Sequence, residues 1–220
     1  MLSAAGIGAG DEVIVPAFGN VEVAEAVKLA GAMPVFADID PLTYCLDASS
    51  VEAAVNSRTA AVIVVHRFGR LADIPRLHDI GRQNGLLVLE QGESETPYDE
   101  VAPRRANAGY LSGRLRGVRT PDGGGEHTYQ QYVVRVPGNG RPDRDAFARA
   151  LRGKGVECRV PVKTPVHRMP GFRCDIRLPQ TELASDETLA LPVNASLTKR
   201  EIHRIVSACN ALGGLLQPAF

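Results

Sequence analysis

Proton-exchanging side chains stand at the ends of two predicted strands. Glu90 ends the apolar run LLVLE (86–90) and is followed directly by the amide Gln91, while His66 ends the run AAVIVVH (60–66). Ligands bind beyond the carboxyl ends of the strands in an open α/β sheet. A histidine and a carboxylate that meet there can act as general acid and general base. We therefore take Glu90 as the candidate base and His66 as a candidate acid.

His127, at the start of HTYQQY, is a third polar candidate, and it is assigned to substrate binding. Histidines at strand ends also often hydrogen-bond only the backbone and fix loop geometry, so this structural alternative stays open for His66 and His127. No metal site is predicted. The four cysteines lie far apart without a C-x-x-C pair, which disfavours zinc and a disulfide framework alike.

The elements that position these groups alternate regularly in the first half. Compact apolar runs predict strands, and amphipathic or capped segments between them predict helices. The predicted strands are 12–17, 34–39, 60–66 and 86–90, and the predicted helices are 21–31, 49–57 and 72–85. Alternation of this kind indicates right-handed crossovers and a doubly wound, mainly parallel α/β sheet.

The second half has another pattern, which predicts a small α+β domain. Its predicted elements are a helix over 105–119, a strand over 129–136, a helix over 147–155, a strand over 156–160 and a helix over 198–212. The first helical segment follows SETPYDEVAPRR, after which the regular alternation of predicted strands and helices ends. We therefore expect a large domain over 1–100 and a small C-terminal domain over 101–220.

Composition excludes several classes of protein. Apolar residues make up 44% of 220 residues, and 25 basic residues balance 25 acidic ones. Zero net charge gives no electrostatic case for binding nucleic acid or a membrane surface. The start lacks the basic region of a signal peptide, and no apolar stretch reaches membrane-spanning length. We expect a cytoplasmic protein with reduced cysteines.

Several motifs in order carry a resemblance to a known family. GIGAGDEVIVPAF, AVKLAGAMPVFADIDPLTY and AAVIVVHRFGRLADIPRLHDIGRQNGLLVLE resemble the large-domain core of the DegT/DnrJ/StrS sugar aminotransferases. HTYQQYVVR, RDAFARALRGKGVECRVPVKTPVH and LALPVNASLTKREIHRI resemble that family's small domain. The resemblance implies a truncated fold type I aminotransferase-like large domain and a role in sugar or natural-product biosynthesis. These enzymes use pyridoxal phosphate.

Three departures from the family pattern bear on the cofactor. The resembling enzymes hold the cofactor phosphate with an earlier Ser-Gly-Thr segment, and the chain is expected to begin after it. They pair an Asp with the pyridinium nitrogen, whereas Gln91 stands at the matching position. They also carry the Schiff-base lysine in a segment after further strands of the sheet, whereas ETPYDEVAPRR here joins the two halves directly. A neutral amide cannot hold a protonated ring nitrogen by charge.

The four lysines of the sequence do not restore the missing group. Lys28, Lys154, Lys163 and Lys199 all lie outside the context of a cofactor lysine. A Schiff-base lysine needs a desolvated or electropositive pocket, and these settings predict none. We therefore expect no cofactor and regard pyridoxal phosphate binding as doubtful. Lys163 is a candidate for substrate binding because its neighbouring segment lines the active-site mouth in the resembling enzymes, with a solvent-facing role as the alternative.

His167, in the PVH segment, completes the candidate site as a second possible acid, since that motif lies near the cofactor cleft in the resembling family. Three functions remain. The first is a non-catalytic or accessory partner, in a homodimer or in a hetero-complex with another biosynthetic protein. The second is a cofactor-independent enzyme that uses the cleft for acid–base chemistry on a small-molecule intermediate. The third is a residual aminotransferase.

Overall fold

The computed structural model describes residues 2–19, 21–92, 96–124, 126–137 and 144–213. The chain forms two compact units, each built from several stretches of sequence. The first unit comprises Met1–Arg67, Leu71–Glu93 and Thr164–Glu182, and the second comprises Phe68–Arg70, Ser94–Lys163 and Leu183–Phe220. The expected domain division between residues 100 and 101 stays a prediction.

Four parallel strands form the sheet of the first unit, in the order β2-β1-β3-β4. They are β1 (Glu12–Pro16), β2 (Met33–Ala37), β3 (Thr59–Val65) and β4 (Leu87–Gln91). Successive side chains of a strand point to opposite faces of a sheet. Val13 and Val15 therefore join one apolar cluster while Ile14 joins another. Both faces of the sheet are covered, as expected of a parallel sheet.

Three helices connect these strands: α1 (Val21–Leu29), α2 (Ala48–Ala54) and α3 (Ile74–Asn84). Asp47 caps α2 by accepting a hydrogen bond from the Ser50 N–H at 2.9 Å. Ser49 and Glu52 have capping-box spacing at the start of the expected helix 49–57, but the N-cap is Asp47, two residues before Ser49. Gly85 ends α3 in the left-handed conformation at φ 68°, which glycine adopts without strain.

The stretch Thr164–Glu182 packs as part of the first unit. The Val166 N–H donates to the Ala17 carbonyl at 2.9 Å. The buried carboxylate of Asp38 accepts hydrogen bonds from the backbone N–H groups of Gln180 and Thr181, at 2.9 and 2.8 Å. These two donors lie in the first turn of a helix, where N–H groups have no partner within the helix. Asp38 thus fixes the end of this stretch to the end of β2.

The second unit contains a small antiparallel sheet. The strands of this sheet are β5 (Tyr132–Arg135) and β6 (Thr188–Leu191). Three helices also belong to the second unit: α4 (Tyr98–Ser112), α5 (Arg144–Gly153) and α7 (Lys199–Gly213). A fourth helix, α6 (Pro179–Glu187), begins in the first unit and ends in the second. One apolar cluster joins these helices and strands, with Tyr132, Leu151 and Leu189 fully buried. An α+β unit follows from this arrangement.

Some predicted elements of the second half differ from the structure. The helix expected over 105–119 instead spans Tyr98–Ser112, with Pro103 inside it. The segment 156–160 forms a single bridge, between Arg159 and Ala190, in place of a strand. Both α6 and β6 escaped the sequence analysis. No helix within the described ranges is long and apolar enough to cross a membrane.

Candidate active site

A carboxylate between two imidazoles forms the most distinctive polar cluster of the first unit. Glu90 Oε2 lies 3.5 Å from His66 Nε2, and Glu90 Oε1 lies 3.1 Å from His78 Nε2. The side chain of His66 is 17% exposed, whereas those of Glu90 and His78 are each 42% exposed. The cluster is therefore open to a ligand from solvent.

The parallel pairing of β3 with β4 sets the position of this cluster. Val64 stands opposite Glu90 and Val65 opposite Gln91, and the His66 N–H extends the ladder by donating to the Gln91 carbonyl at 3.0 Å. His66 leaves β3 just beyond the strand's last residue. Its ring therefore lies at the carboxyl edge of the sheet, beside the last residues of β4.

Backbone contacts also select the tautomer of His66. The Ala72 N–H donates to His66 Nδ1 at 3.2 Å, so Nδ1 bears the lone pair. The proton of the neutral ring then sits on Nε2, which faces Glu90. A histidine held in one tautomer and directed at a carboxylate is arranged for proton exchange.

His78 was missed by the sequence analysis. It lies on α3 beside the buried Leu77, at the border of the helix's apolar face. Helical spacing predicts the apolar face of α3, but it does not predict which strand residue a side chain at the border of that face contacts. Only the packing of α3 brings His78 to Glu90. No group of three or more potential ligands in the described parts of the chain is arranged to hold a metal ion.

His127 belongs to the second unit and is almost fully buried, at 5% exposure. The Tyr129 N–H donates to its Nδ1 at 3.1 Å, and Arg105 Nε donates to its carbonyl at 2.9 Å. Burial, assisted by the positive charges of Arg70 and Arg105, lowers the pKa of His127 to about 4. Its substrate-binding role stays a prediction, and the geometry shows a neutral imidazole that holds a loop.

His167 is also buried, at 1% exposure, but within the first unit. Its Nε2 lies 3.5 Å from Glu182 Oε1, without the geometry of a hydrogen bond. Burial lowers the pKa of His167, and the carboxylate of Glu182 opposes that shift. His167 contacts Glu182, whereas Glu90 contacts His66 and His78. The acid role of His167 stays a prediction.

The lysines and Gln91 bear on cofactor chemistry. Lys28, Lys154, Lys163 and Lys199 are all solvent-exposed, and the Lys28 ammonium lies over the ring of Phe172, 4.2 Å from its centroid. These settings do not fit a Schiff-base lysine, which needs a desolvated pocket. Gln91 is exposed, and its side-chain amide has the capacity to hydrogen-bond a ring nitrogen. Substrate binding by Lys163 stays a prediction.

Comparison with known protein families gives one match that covers nearly the whole chain. The model of the DegT/DnrJ/EryC1/StrS aminotransferase family matches residues 1–92 and 98–210. The two stretches meet at the segment that follows β4, where the sequence analysis located a departure from the family pattern. The match therefore includes all six strands described above.

Curated relatives agree with this match. L-glutamine:scyllo-inosose aminotransferase of Streptomyces griseus is 51% identical over 89 residues, which are 40% of this chain and 21% of that protein. GDP-perosamine synthase of Caulobacter vibrioides is 32% identical over 201 residues, which are 86% of this chain and 50% of that protein. The matched regions thus span between about a fifth and a half of these relatives' length.

Solved structures show the same fold. NtdA from Bacillus subtilis with bound cofactor PMP superposes with a TM-score of 0.85 at 19% identity, covering 97% of this chain and 70% of that one. The fold type I α/β architecture with a mainly parallel sheet is confirmed. The expectation that pyridoxal phosphate binding is doubtful is wrong, because the matched family and its solved neighbours work with this cofactor and no finding supports its loss. The absence of a charge at Gln91 is not sufficient to predict that binding is lost, because contacts other than the one to the ring nitrogen also hold a cofactor.

Proposed function

We propose a role that proceeds from the chain's membership of the DegT/DnrJ/EryC1/StrS aminotransferase family. The chain acts as an accessory member in the amination of a keto-sugar or keto-cyclitol, and its own lysines do not form the Schiff base. The substrate class comes from the relatives, which include an aminotransferase that acts on scyllo-inosose. The proposal concerns the Schiff-base lysine alone and leaves cofactor binding in place.

The exposure of all four lysines is the observation that carries this proposal. A lysine in water keeps its ammonium protonated at neutral pH, and a protonated amine is not a nucleophile. Lys28 is further occupied, because its ammonium donates to the Gly171 carbonyl and lies over Phe172. Lys154 follows the last turn of α5 and Lys199 begins α7, so both sit at helix ends in the open.

A second protein would then supply the missing lysine, and the edge of the sheet supports this part of the proposal. Among the described strands, β4 pairs only with β3, so one side of its backbone has no strand beside it. Leu87 on this strand is 38% exposed. An open edge with exposed apolar side chains is suited to pairing with another chain. We propose another biosynthetic protein as that partner, because a second copy of this chain would bring only the same four lysines. A homodimer stays a prediction.

Reductive trapping tests the lysine proposal. The protein is incubated with pyridoxal phosphate, reduced with borohydride and mapped by peptide mass spectrometry. A family member that has its Schiff-base lysine serves as the positive control. We expect stoichiometric label in the control and no stoichiometric label on Lys28, Lys154, Lys163 or Lys199 of this chain. Stoichiometric label on one of these lysines would overturn the proposal.

Acid–base chemistry on the keto substrate is a second candidate function, and the Glu90 cluster favours it. Glu90 has imidazole nitrogens at 3.1 and 3.5 Å, and His66 presents Nε2–H because Nδ1 is an acceptor. Such a pair has the capacity to remove a proton beside a ketone and to protonate the oxygen. We propose Glu90 as the base and His66 as the acid.

Deuterium exchange tests this second candidate. Scyllo-inosose is placed in deuterated buffer with the protein, and exchange beside the ketone is followed by NMR. Glu90→Gln and His66→Gln should each slow protein-dependent exchange by about 10² to 10⁴-fold. Asp79→Asn, on the same helix as His78 but paired with Arg82, is the matched control and should leave the rate unchanged. Exchange that survives Glu90→Gln unchanged would exclude the cluster.

A further inference from the structure

A polar pocket of about 530 Å³ lies in the first unit, away from the contacts of the Glu90 cluster. Its lining is rich in charge, with three arginines, two carboxylates and one histidine: Arg168, Arg173, Arg177, Asp175, Glu182 and His167. The volume suits a small ligand and greatly exceeds that of one water molecule. Of the residues given a role above, only His167, the second candidate acid, lines this pocket.

The walls of the pocket are held in place by the core of the unit. The His167 carbonyl accepts a hydrogen bond from the Cys174 N–H at 3.1 Å, which ties the start of the lining segment to its middle. Phe172 packs edge-on against Phe36, with ring centroids 6.3 Å apart. Asp38 caps the helix that carries Glu182. The pocket therefore rests on buried contacts at both ends.

The charges of the lining are unequally satisfied. Arg168 is paired with Glu182 at 2.7 Å. Arg173 and Arg177 make no ion pair or hydrogen bond with any described residue of the chain. Two unpaired guanidinium groups at one pocket favour an anion, and their planar forks match the oxygens of a phosphate group.

His167 adds an independent observation. It lines the pocket and is 99% buried, yet neither ring nitrogen forms a hydrogen bond within the described residues. Its Nε2 faces Glu182 Oε1 at 3.5 Å, whereas Nδ1 has no partner among the described residues, and a buried polar atom without a partner is unfavourable. Both ring nitrogens of the protonated imidazole are donors, so Nε2–H would point to Glu182 and Nδ1–H to an anion oxygen in the pocket.

We propose that this pocket binds a small molecule through a phosphate group, which Arg173 and Arg177 hold and the imidazole of His167 meets from the buried side. A carboxylate ligand has fewer oxygens to share among three donors. Glu182 keeps Arg168 occupied and so leaves the other two arginines for the ligand.

Calorimetric titration of the intact protein with inorganic phosphate tests the proposal, with acetate at equal ionic strength as the comparison. We expect saturable binding of phosphate that is at least about tenfold tighter than binding of acetate. The double variant Arg173→Gln/Arg177→Gln should weaken phosphate binding by at least about tenfold. Both side chains are exposed, so the variant should fold normally.

Arg149→Gln/Arg200→Gln is the matched control, since it removes the same charge from exposed positions on α5 and α7. It should leave phosphate binding unchanged. An equal loss in both double variants would show non-specific attraction and overturn the proposal. Acetate binding as tight as phosphate binding would overturn the assigned ligand class.

The histidine has its own readout. Burial lowers the pKa of His167, and a bound anion beside the ring should move that pKa upward. Ring NMR signals of His167 should therefore titrate at higher pH when phosphate is present. A His167 titration that phosphate leaves unchanged would contradict the proposed contact, even if phosphate bound elsewhere.

Discussion

Two histidines that the sequence treats alike end in opposite environments. His66, in the first unit, lies 3.5 Å from the carboxylate of Glu90 and is partly open to solvent. His127, in the second unit, is buried beside Arg70 and Arg105, and its ring stacks on Tyr129 with centroids 3.9 Å apart. A carboxylate neighbour suits proton exchange, whereas arginine neighbours and burial keep an imidazole neutral. The neighbours, more than the strand-end position, decide the role of each ring.

Gly69→Ala should give the largest effect on this comparison, because it disrupts the support of His127. Gly69 has φ +89°, and an added Cβ would lie 2.3 Å from Thr128 Oγ1 and 2.8 Å from the Gln130 nitrogen. We expect a loss of about 3 kcal/mol in the free energy of unfolding, from left-handed strain and overpacking together. Urea denaturation measures this loss.

Gly10→Ala is the matched control for that substitution. Gly10 has a similar φ of +95°, but nothing lies within 4 Å of the added Cβ. It should cost only about 1 kcal/mol, the strain of a left-handed alanine. Equal losses for the two variants would show that the crowding of the added Cβ by Thr128 does not contribute to the loss at Gly69.

The pH dependence of stability should distinguish the buried ring next. The pKa of His127 falls from 6.5 to about 4 in the folded chain, so the unfolded chain binds the proton first as the pH drops. Stability from this group is therefore complete above pH 6.5 and is lost as the pH falls from 6.5 to about 4. His127→Gln should remove this part of the pH dependence, which is on the order of 3 kcal/mol. If the free energy of unfolding of wild type and variant depended on pH in the same way across this range, the account would be contradicted.

Glu90→Gln should have the smallest effect on stability. The side chain is 42% exposed, and ion pairs of this kind contribute about 0 to 1 kcal/mol. The expected change is below about 0.5 kcal/mol in urea denaturation, because the amide still hydrogen-bonds a histidine. A loss above about 2 kcal/mol would mean that Glu90 is structural, as His127 is, and the comparison between the two regions would then fail.

The first half of the fold was predictable because its signals are local. Each parallel strand is a continuous apolar run, since both faces of the sheet are covered, and each helix between them has a cap or a glycine stop. The second half was less predictable. LASDETLAL passes from α6 into β6 without a glycine or proline, so the sequence has no strong signal for the end of the helix.

The sequence likewise predicted some contacts of the candidate site and not others. The pairing of Glu90 with His66 followed from parallel strands whose carboxyl ends share one edge. The contact with His78 did not, because it depends on how α3 packs over β4. Nor did the sequence reveal that Glu182 would meet His167, since this contact requires the stretch Thr164–Glu182 to belong to the first unit.

Replacing every lysine tests the central claim most directly. The variant carries Lys28→Arg, Lys154→Arg, Lys163→Arg and Lys199→Arg, all at exposed positions where arginine fits. Wild type and variant are each mixed with pyridoxal phosphate and glutamine, and the yield of pyridoxamine phosphate is measured against a protein-free control. The account predicts equal yields for the two proteins, because no lysine of this chain forms the Schiff base. A yield above the control with wild type that disappears in the variant would contradict it.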